Sequence, residues 1–118
     1  MGNISAAVSK KRLEDDFNKI QEFTDPLLPY TRRAFSPQYY EARKWLAQKF
    51  TDAGLQIRVD PVGNLIGRLG TLDGPSLSMG SHIDTVEAGG RFDGIVGVLA
   101  ALEVVRCLGE TGTKLSFP

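Results

Sequence analysis

The sequence has one cysteine, one histidine and no excess of either charge. A lone cysteine, Cys107, cannot close an intramolecular disulfide, which excludes a disulfide-stabilised scaffold and favours a reducing compartment. Fourteen Lys and Arg residues are matched by fourteen Asp and Glu residues, so the chain lacks the basic excess that binds nucleic-acid phosphates. We therefore expect no nucleic-acid partner.

Long apolar runs are missing as well. The most apolar stretch, residues 94–105, contains 12 residues and includes Glu103, whereas a bilayer span needs about 20 apolar residues. We therefore expect no transmembrane segment and no membrane partner. A cytoplasmic location is the default expectation, because a single cysteine suits a reducing compartment.

What the sequence does contain is typical of one small α/β domain. Its 118 residues are 42% apolar and 24% charged, as expected of a globular chain with a single core. Leu13, Phe17 and Ile20 lie at helical spacing and predict one amphipathic helix over the first twenty-odd residues, ended by the prolines that follow. A second helix is predicted from Ser36, a capping residue followed by proline, to Gly54.

Strands are predicted from alternation and from turn residues. Residues 55–59 and 64–69 flank a DPVG turn and predict a β-hairpin. Residues 76–80 have little polar character, which predicts a buried central strand.

A largely buried helix is predicted from Ile95, ended by glycines at 109 and 112, and a further strand begins at Lys114 and includes Phe117. Residues 76–117 would then form one strand–helix–strand unit. The expected fold class is α/β, a mixed sheet flanked by helices, with the sheet left incomplete.

Chemically distinctive residues cluster in two short segments, GSHIDT at 80–85 and GGRFDG at 89–94. His82 is predicted at the end of the central strand, and Asp93 at the start of the buried helix. Loops beyond the carboxyl ends of strands form the ligand crevice of open α/β sheets, so we expect these two side chains to converge. Imidazole and carboxylate suit Zn²⁺ or a similar divalent ion, and Asp84, on the same side of an extended chain, would orient His82.

Each of these residues also has an ordinary structural interpretation. A single histidine is often a hydrogen-bonded structural residue, and an aspartate before a glycine at a helix start, as at Asp93, is usually an N-cap. The glycines between residues 89 and 97 can serve turns and close packing alone. Arg91 could pair with a substrate carboxylate, although an exposed loop arginine is the commoner outcome.

Taken together, several segments resemble the first metal motif and flanking sequence of the N-carbamoyl-L-amino-acid hydrolase and allantoate amidohydrolase group. This group belongs to the larger class of binuclear zinc amidohydrolases and peptidases. The resemblance spans residues 31–108. Its segments are RAFSP (33–37), DPVGNL (60–65), GSHIDTV (80–86), GGRFDG (89–94) and GVLAALEV (97–104).

The resemblance implies roles for three residues. His82 would be a terminal ligand of one metal ion, Asp93 the carboxylate that bridges two metal ions, and Asp84 the partner that orients His82. It further implies a zinc-peptidase-like fold, a homodimer, and hydrolysis of N-carbamoyl amino acids or allantoate by metal-activated water. Two divalent ions would be needed, zinc or else manganese, cobalt or nickel.

By the same resemblance, residues 1–118 are the N-terminal portion of the catalytic domain of a metal-dependent hydrolase. Family members are several times longer, and their paired glutamates, remaining histidine ligands and inserted dimerisation domain have no counterpart here. Two good ligands and an auxiliary aspartate are fewer than a zinc site needs. We therefore expect the chain alone to hold no stable binuclear centre.

Other functions stay open on the sequence. The chain could be a non-catalytic module that binds a partner chain, since an incomplete sheet exposes unpaired backbone groups, or part of a metallopeptidase. A nucleotide-binding domain is disfavoured because neither G-x-G-x-x-G nor a phosphate-loop lysine is present. A thiol enzyme would pair Cys107 with His82, but Cys107 lies in an apolar helix and is better explained as a small buried residue.

The 118-residue chain alone is expected to hydrolyse neither N-carbamoyl amino acids nor allantoate. The reason is that the resemblance assigns the general base to a glutamate that these residues do not include. Ammonia release by the purified chain, supplied with Zn²⁺, Mn²⁺ or Co²⁺, measures this, and metal-dependent turnover would contradict it.

Overall fold

The computed structural model describes residues 3–116, which form helices and a small antiparallel sheet. None of the helices in this range has the length and apolar character needed to cross a membrane. The elements are α1 (Ile4–Ala7), α2 (Lys10–Ile20), α3 (Pro37–Asp52), β1 (Gln56–Val59), β2 (Leu65–Arg68) and α4 (Ile95–Thr111).

The hydrophobic core lies between α2, α3 and α4. Ile20 of α2, Leu46 of α3 and Leu99 of α4 are fully buried members of one packed cluster. Apolar residues recur at steps of three and four along α3 and α4, so one face of each helix enters this core. Burial of each large side chain contributes about 1.5–3 kcal/mol, which makes this cluster the main source of stability.

The predicted α3 and α4 are confirmed. The Ser36 hydroxyl accepts a hydrogen bond from the Tyr39 N–H at 3.2 Å, as an N-cap does. Gly54 (φ +88°) follows the end of α3 and Gly112 (φ +63°) follows α4, both in the left-handed conformation that ends helices. Gly109, predicted to end α4, lies inside that helix.

The predicted hairpin is confirmed, with each strand slightly shorter than expected. Strands β1 and β2 pair antiparallel, with Val59 opposite Leu65. The Asp60 carboxylate accepts hydrogen bonds from the N–H groups of Val62 and Asn64 at 3.1 and 2.9 Å. The side chain of Asp60 thus closes the turn, as is typical of aspartate at such positions.

The prediction of one helix over the first twenty-odd residues is wrong. Val8 is extended and separates α1 from α2, and Ser9 caps α2 by accepting the Arg12 N–H. The Ser9 N–H in turn donates to Glu103 of α4 at 2.8 Å. A contact between distant parts of the chain therefore fixes the break. Helix α2 also ends at Ile20, well before the prolines.

The predicted strands at residues 76–80 and from Lys114 are wrong for the described residues. Residues 76–80 lie outside any ladder, and Leu77 and Met79 are exposed. A strand needs a hydrogen-bonded neighbour, and the sheet described here consists of β1 and β2. Residues 114–116 are irregular, and Phe117, predicted in the same strand, lies outside the described residues.

A buried ion-pair network ties α2 to α4. The buried Glu103 carboxylate accepts hydrogen bonds from Arg12 Nη2 at 2.7 Å and Nε at 2.8 Å. Arg106 lies 3.6 Å from Glu103 and also donates to the buried Asp16 of α2. Burial opposes ionisation of Glu103, but the hydrogen bonds from Arg12 and Ser9 outweigh it and hold the pKa of Glu103 below its ordinary value.

Replacing Glu103 by Gln is expected to lower the free energy of unfolding by about 3 kcal/mol at neutral pH, because it leaves Arg12 without its buried partner. A carboxylate with a lowered folded-state pKa stabilises the fold above its unfolded pKa and loses that effect as the pH falls through the folded value. Wild-type stability should therefore decline below pH 4.5, the ordinary carboxyl value. Urea denaturation across this range measures it, and the decline should be shallower in Glu103→Gln.

The matched control is Glu110→Gln. Glu110 lies on the same helix and also pairs with Arg12, but its side chain is half exposed. We expect a loss below about 1 kcal/mol for this variant. A urea midpoint of Glu103→Gln equal to that of the wild type would show that the buried carboxylate does not stabilise the fold.

Candidate functional site

His82, Asp84 and Asp93 lie together on the surface near the start of α4. The distance from His82 Nε2 to Asp93 Oδ2 is 3.6 Å, and that from His82 Nδ1 to Asp84 Oδ1 is 3.3 Å. The three side chains are 50%, 43% and 74% exposed for His82, Asp84 and Asp93. The structure therefore brings the predicted residues together and leaves them open to solvent. Their assignment as ligands stays a prediction.

The nearest acceptor to the His82 ring is a backbone oxygen. The carbonyl of Asp84 lies 3.0 Å from Nδ1, closer than the carboxylate that the sequence suggested. A proton on Nδ1 would serve either oxygen and leave the lone pair of a neutral ring on Nε2. Nε2 lies 3.6 Å from the Asp93 carboxylate, so in that tautomer the two groups would present two donor atoms to one cation.

The side chains of residues 82–85 point alternately to the surface and to the core. Ile83 packs against the core and Thr85 is buried, whereas His82 and Asp84 reach the surface between them. This is the period of two that an extended chain imposes. Both exposed side chains thus share one side of the segment, although the segment forms no strand.

Residues 30–32 hold this segment in place. The Thr85 N–H donates to the Arg32 carbonyl at 2.8 Å, and the Arg32 N–H donates back to Thr85 Oγ1 at 2.8 Å. The Ala88 N–H donates to Thr31 Oγ1, also at 2.8 Å. Tyr30 and Ala88 have positive φ values of 55° and 50°, which residues with a Cβ rarely adopt. Hydrogen bonds between the two segments thus maintain a strained backbone beside the site.

The loop that carries Asp93 is anchored to α2. Arg91 donates to Asn18 Oδ1 at 3.0 Å. The Phe92 and Phe17 rings meet edge to face with centroids 5.5 Å apart. Arg91 is therefore half-buried, and the guanidinium is held by the fold rather than free in an exposed loop.

The ordinary interpretation of Asp93 as an N-cap is wrong. Gly94 occupies the N-cap of α4, and no side chain makes a capping hydrogen bond there. Only the backbone carbonyl of Asp93 takes part in the helix start, accepting the Ile95 N–H at 2.8 Å. The carboxylate is therefore left to face His82.

Gly94 lets the His82 ring approach the start of α4. A Cβ at this position would lie 2.4 Å from the His82 carbonyl oxygen and 2.6 Å from ring atom Cε1. Its φ of +72° also favours glycine. Gly94 thus has the close-packing role expected of these glycines, and the group that packs against it is the His82 ring of the candidate site.

Other groups add little to this site. Across residues 3–116, no set of three or more His, Cys, Asp or Glu side chains is arranged around a common metal position. Cys107 is a buried free thiol in α4, and burial raises its pKa. A buried thiol with a raised pKa is a poor nucleophile, which argues against the thiol-enzyme alternative.

Comparison with known proteins agrees with the resemblance. No protein-family model matches the chain. It is 36% identical over 104 residues to the N-carbamoyl-L-amino-acid amidohydrolase of Paenarthrobacter aurescens, a match that covers 86% of this chain and 25% of the relative. It is 38% identical over 95 residues to the allantoate amidohydrolase of Escherichia coli (strain K12), covering 78% and 23%. The chain is a homologue of these amidohydrolases.

This amidohydrolase homologue also matches solved structures. A hydantoinase/carbamoylase family amidase from Burkholderia multivorans superposes with a TM-score of 0.87 at 33% identity, covering 96% of this chain and 28% of that one. The predicted α/β fold class is therefore confirmed, although the described strands form one antiparallel pair rather than a mixed sheet. The chain spans about a quarter of the length of the relatives it matches.

Replacing Gly94 by Ala is expected to displace the His82 ring, because the added methyl group would overlap it. The variant should also lose about 1–3 kcal/mol of stability through backbone strain. Since His82 is the only histidine in the chain, its ring gives a single set of NMR resonances. A change in those resonances measures the displacement.

Gly90→Ala is the matched control. Gly90 also has a positive φ (+89°), but an added Cβ there would meet nothing within 4 Å. This variant should show the strain without the ring displacement. Identical histidine resonances in wild type and Gly94→Ala would contradict the packing argument.

Proposed function

We propose that this amidohydrolase homologue contributes His82 and Asp93 to a divalent-metal centre that hydrolyses linear ureido or N-carbamoyl compounds. The observation that carries the proposal is the 3.6 Å separation of His82 Nε2 and Asp93 Oδ2 on exposed side chains. The names of the relatives, N-carbamoyl-L-amino-acid and allantoate amidohydrolase, support the substrate class.

The donor atoms fit one edge of a metal's coordination shell. Ligand atoms about 2.0–2.2 Å from Zn²⁺ in a tetrahedral arrangement lie roughly 3.4 Å apart, close to the separation observed. The described residues donate no hydrogen bond to the Asp93 carboxylate, which leaves an oxygen for a second ion. Two ligands are fewer than a zinc site requires, so the complete centre would draw further ligands from outside these residues.

The proposed roles follow from the contacts of each residue. Asp84 would accept a hydrogen bond from the Nδ1–H of His82, through its carbonyl at 3.0 Å or its carboxylate at 3.3 Å, and this would favour the tautomer whose lone pair is on Nε2. Zinc, manganese, cobalt or nickel would supply Lewis acidity that polarises a substrate carbonyl and makes water acidic near pH 7. The chain's own part is to hold two donor atoms in place, while a glutamate outside residues 3–116 would take the proton of the attacking water.

The remaining elements of the proposal concern the whole protein. We include a homodimer and a cytoplasmic location, since the resemblance implies the first and the low cysteine content favours the second. Residues 1–118 would be the N-terminal portion of the catalytic domain.

Zn²⁺ binding tests the proposal on this chain. Calorimetric titration, together with the ring resonances of the single histidine, should show weak, saturable binding at His82. Asp93→Ala should weaken it at least ten-fold, because one of two ligands is lost. Asp84→Asn should weaken it about ten-fold, near the lower limit for a partner that orients a ligand, because the Asp84 carbonyl keeps its contact with Nδ1.

Asp73→Ala is the matched control, since Asp73 is also an exposed loop aspartate that precedes a glycine. Its Zn²⁺ affinity should equal that of the wild type. Equal affinity of wild type and Asp93→Ala, or Zn²⁺ shifts that spare the histidine ring, would overturn the proposal.

A further inference from the structure

Arg32 has a buried guanidinium whose described partners are all backbone carbonyls. The residue is 4% exposed, which is rare for an arginine without a paired charge. Its Nε donates to the Ile83 carbonyl at 2.7 Å, and Nη1 donates to the carbonyls of Ile20 and Phe23 at 3.0 and 2.8 Å. Burial lowers the pKa of Arg32, and the nearby charge of Asp84 opposes that effect.

These bonds connect the end of α2 to the candidate site. Carbonyls at the end of a helix lack partners within the helix, and a cation there is favourable. Arg32 fills that position and extends to Ile83, the residue between His82 and Asp84. The His82 half of the site is thus fixed to the carboxyl end of α2.

The other half of the site is fixed to the same helix. Asn18 and Phe17 of α2 hold Arg91 and Phe92, which directly precede Asp93. One helix therefore carries both tethers, one for the imidazole and one for the carboxylate. Neither segment belongs to a sheet, so these attachments act together with the hydrogen bonds from residues 30–32 to hold the two ligand atoms in place.

We infer that Arg32 is a positioning residue, which sets the His82–Asp93 separation by fixing the Ile83 carbonyl to the end of α2. The inference deepens the proposed function and depends on it for its catalytic meaning. The geometric part can be tested without metal or substrate.

The test compares Arg32→Lys with Arg33→Lys. Lysine keeps the charge but replaces a planar group of several donors by a single ammonium, which cannot reach the three carbonyls with the same geometry. Arg33 is the adjacent, exposed arginine, and its ion pair is with Glu87 at 3.1 Å. It is therefore a control for charge, residue type and position.

The readout is the NOE between the His82 ring proton on Cε1 and the Gly94 α protons, which lie close together in the structure. Arg32→Lys should lose this NOE and bind Zn²⁺ about ten-fold more weakly, with unchanged amide resonances in α3 and the hairpin. Arg33→Lys should keep both the NOE and the affinity. Retention of the NOE in a folded Arg32→Lys variant would overturn the inference, even if the wild type binds Zn²⁺.

If Arg32→Lys does not fold, Arg32→Gln tests the same attachment, because a neutral side chain leaves no buried charge and is too short to join the Ile83 carbonyl to the end of α2. A folded Arg32→Gln variant should lose the NOE, and an unchanged NOE would overturn the inference. A wild type that shows the NOE but binds no Zn²⁺ would instead remove the proposed function and leave the geometric result intact.

Discussion

The contact between Arg12 and Glu103 is the interaction on which the rest of the structure depends. Glu103 receives two hydrogen bonds from the Arg12 guanidinium and a third from the Ser9 N–H. That third bond fixes where α2 begins. The pair also holds α2 against α4, and Arg106 and Asp16 repeat the connection beside it. Burial of a carboxylate is very costly unless it is paired and hydrogen-bonded, so Glu103 can be buried only because these bonds form.

The position of α2 in turn determines the candidate site. Its side chains hold the loop before Asp93, and its last carbonyl, that of Ile20, accepts a hydrogen bond from the Arg32 guanidinium that reaches Ile83. The site is thus built from two irregular segments that share a helix as support. Catalytic groups must be held in precise positions, which loops alone rarely achieve. Attachment to a rigid helix gives these two loops that precision.

Local patterns predicted α3, α4 and the hairpin, because capping, periodicity and turn residues act over a few neighbouring positions. The sequence also predicts the meeting of His82, Asp84 and Asp93, but part of that argument depends on a strand at residues 76–80 that the structure does not contain. The parts that agree with the structure are local, namely the alternation along residues 82–85 and the start of α4. Long-range contacts were missed. No local signal separates Arg32 from Arg33, although one is buried beneath the site and the other is exposed. Likewise, the hydrogen bond from Ser9 to Glu103 separates α1 from α2, and the apolar periodicity of the first twenty residues gives no indication of this break.

The two strained residues beside the site have a consequence for local unfolding. Tyr30 and Ala88 hold unfavourable backbone angles, and both flank the same set of hydrogen bonds between residues 30–32 and 85–89. Separation of these segments would relieve both residues at once, which offsets part of the cost of opening by about 1–3 kcal/mol for each. This region should therefore open as a cooperative unit at a lower free energy than the helical core, and its amides should exchange with solvent sooner.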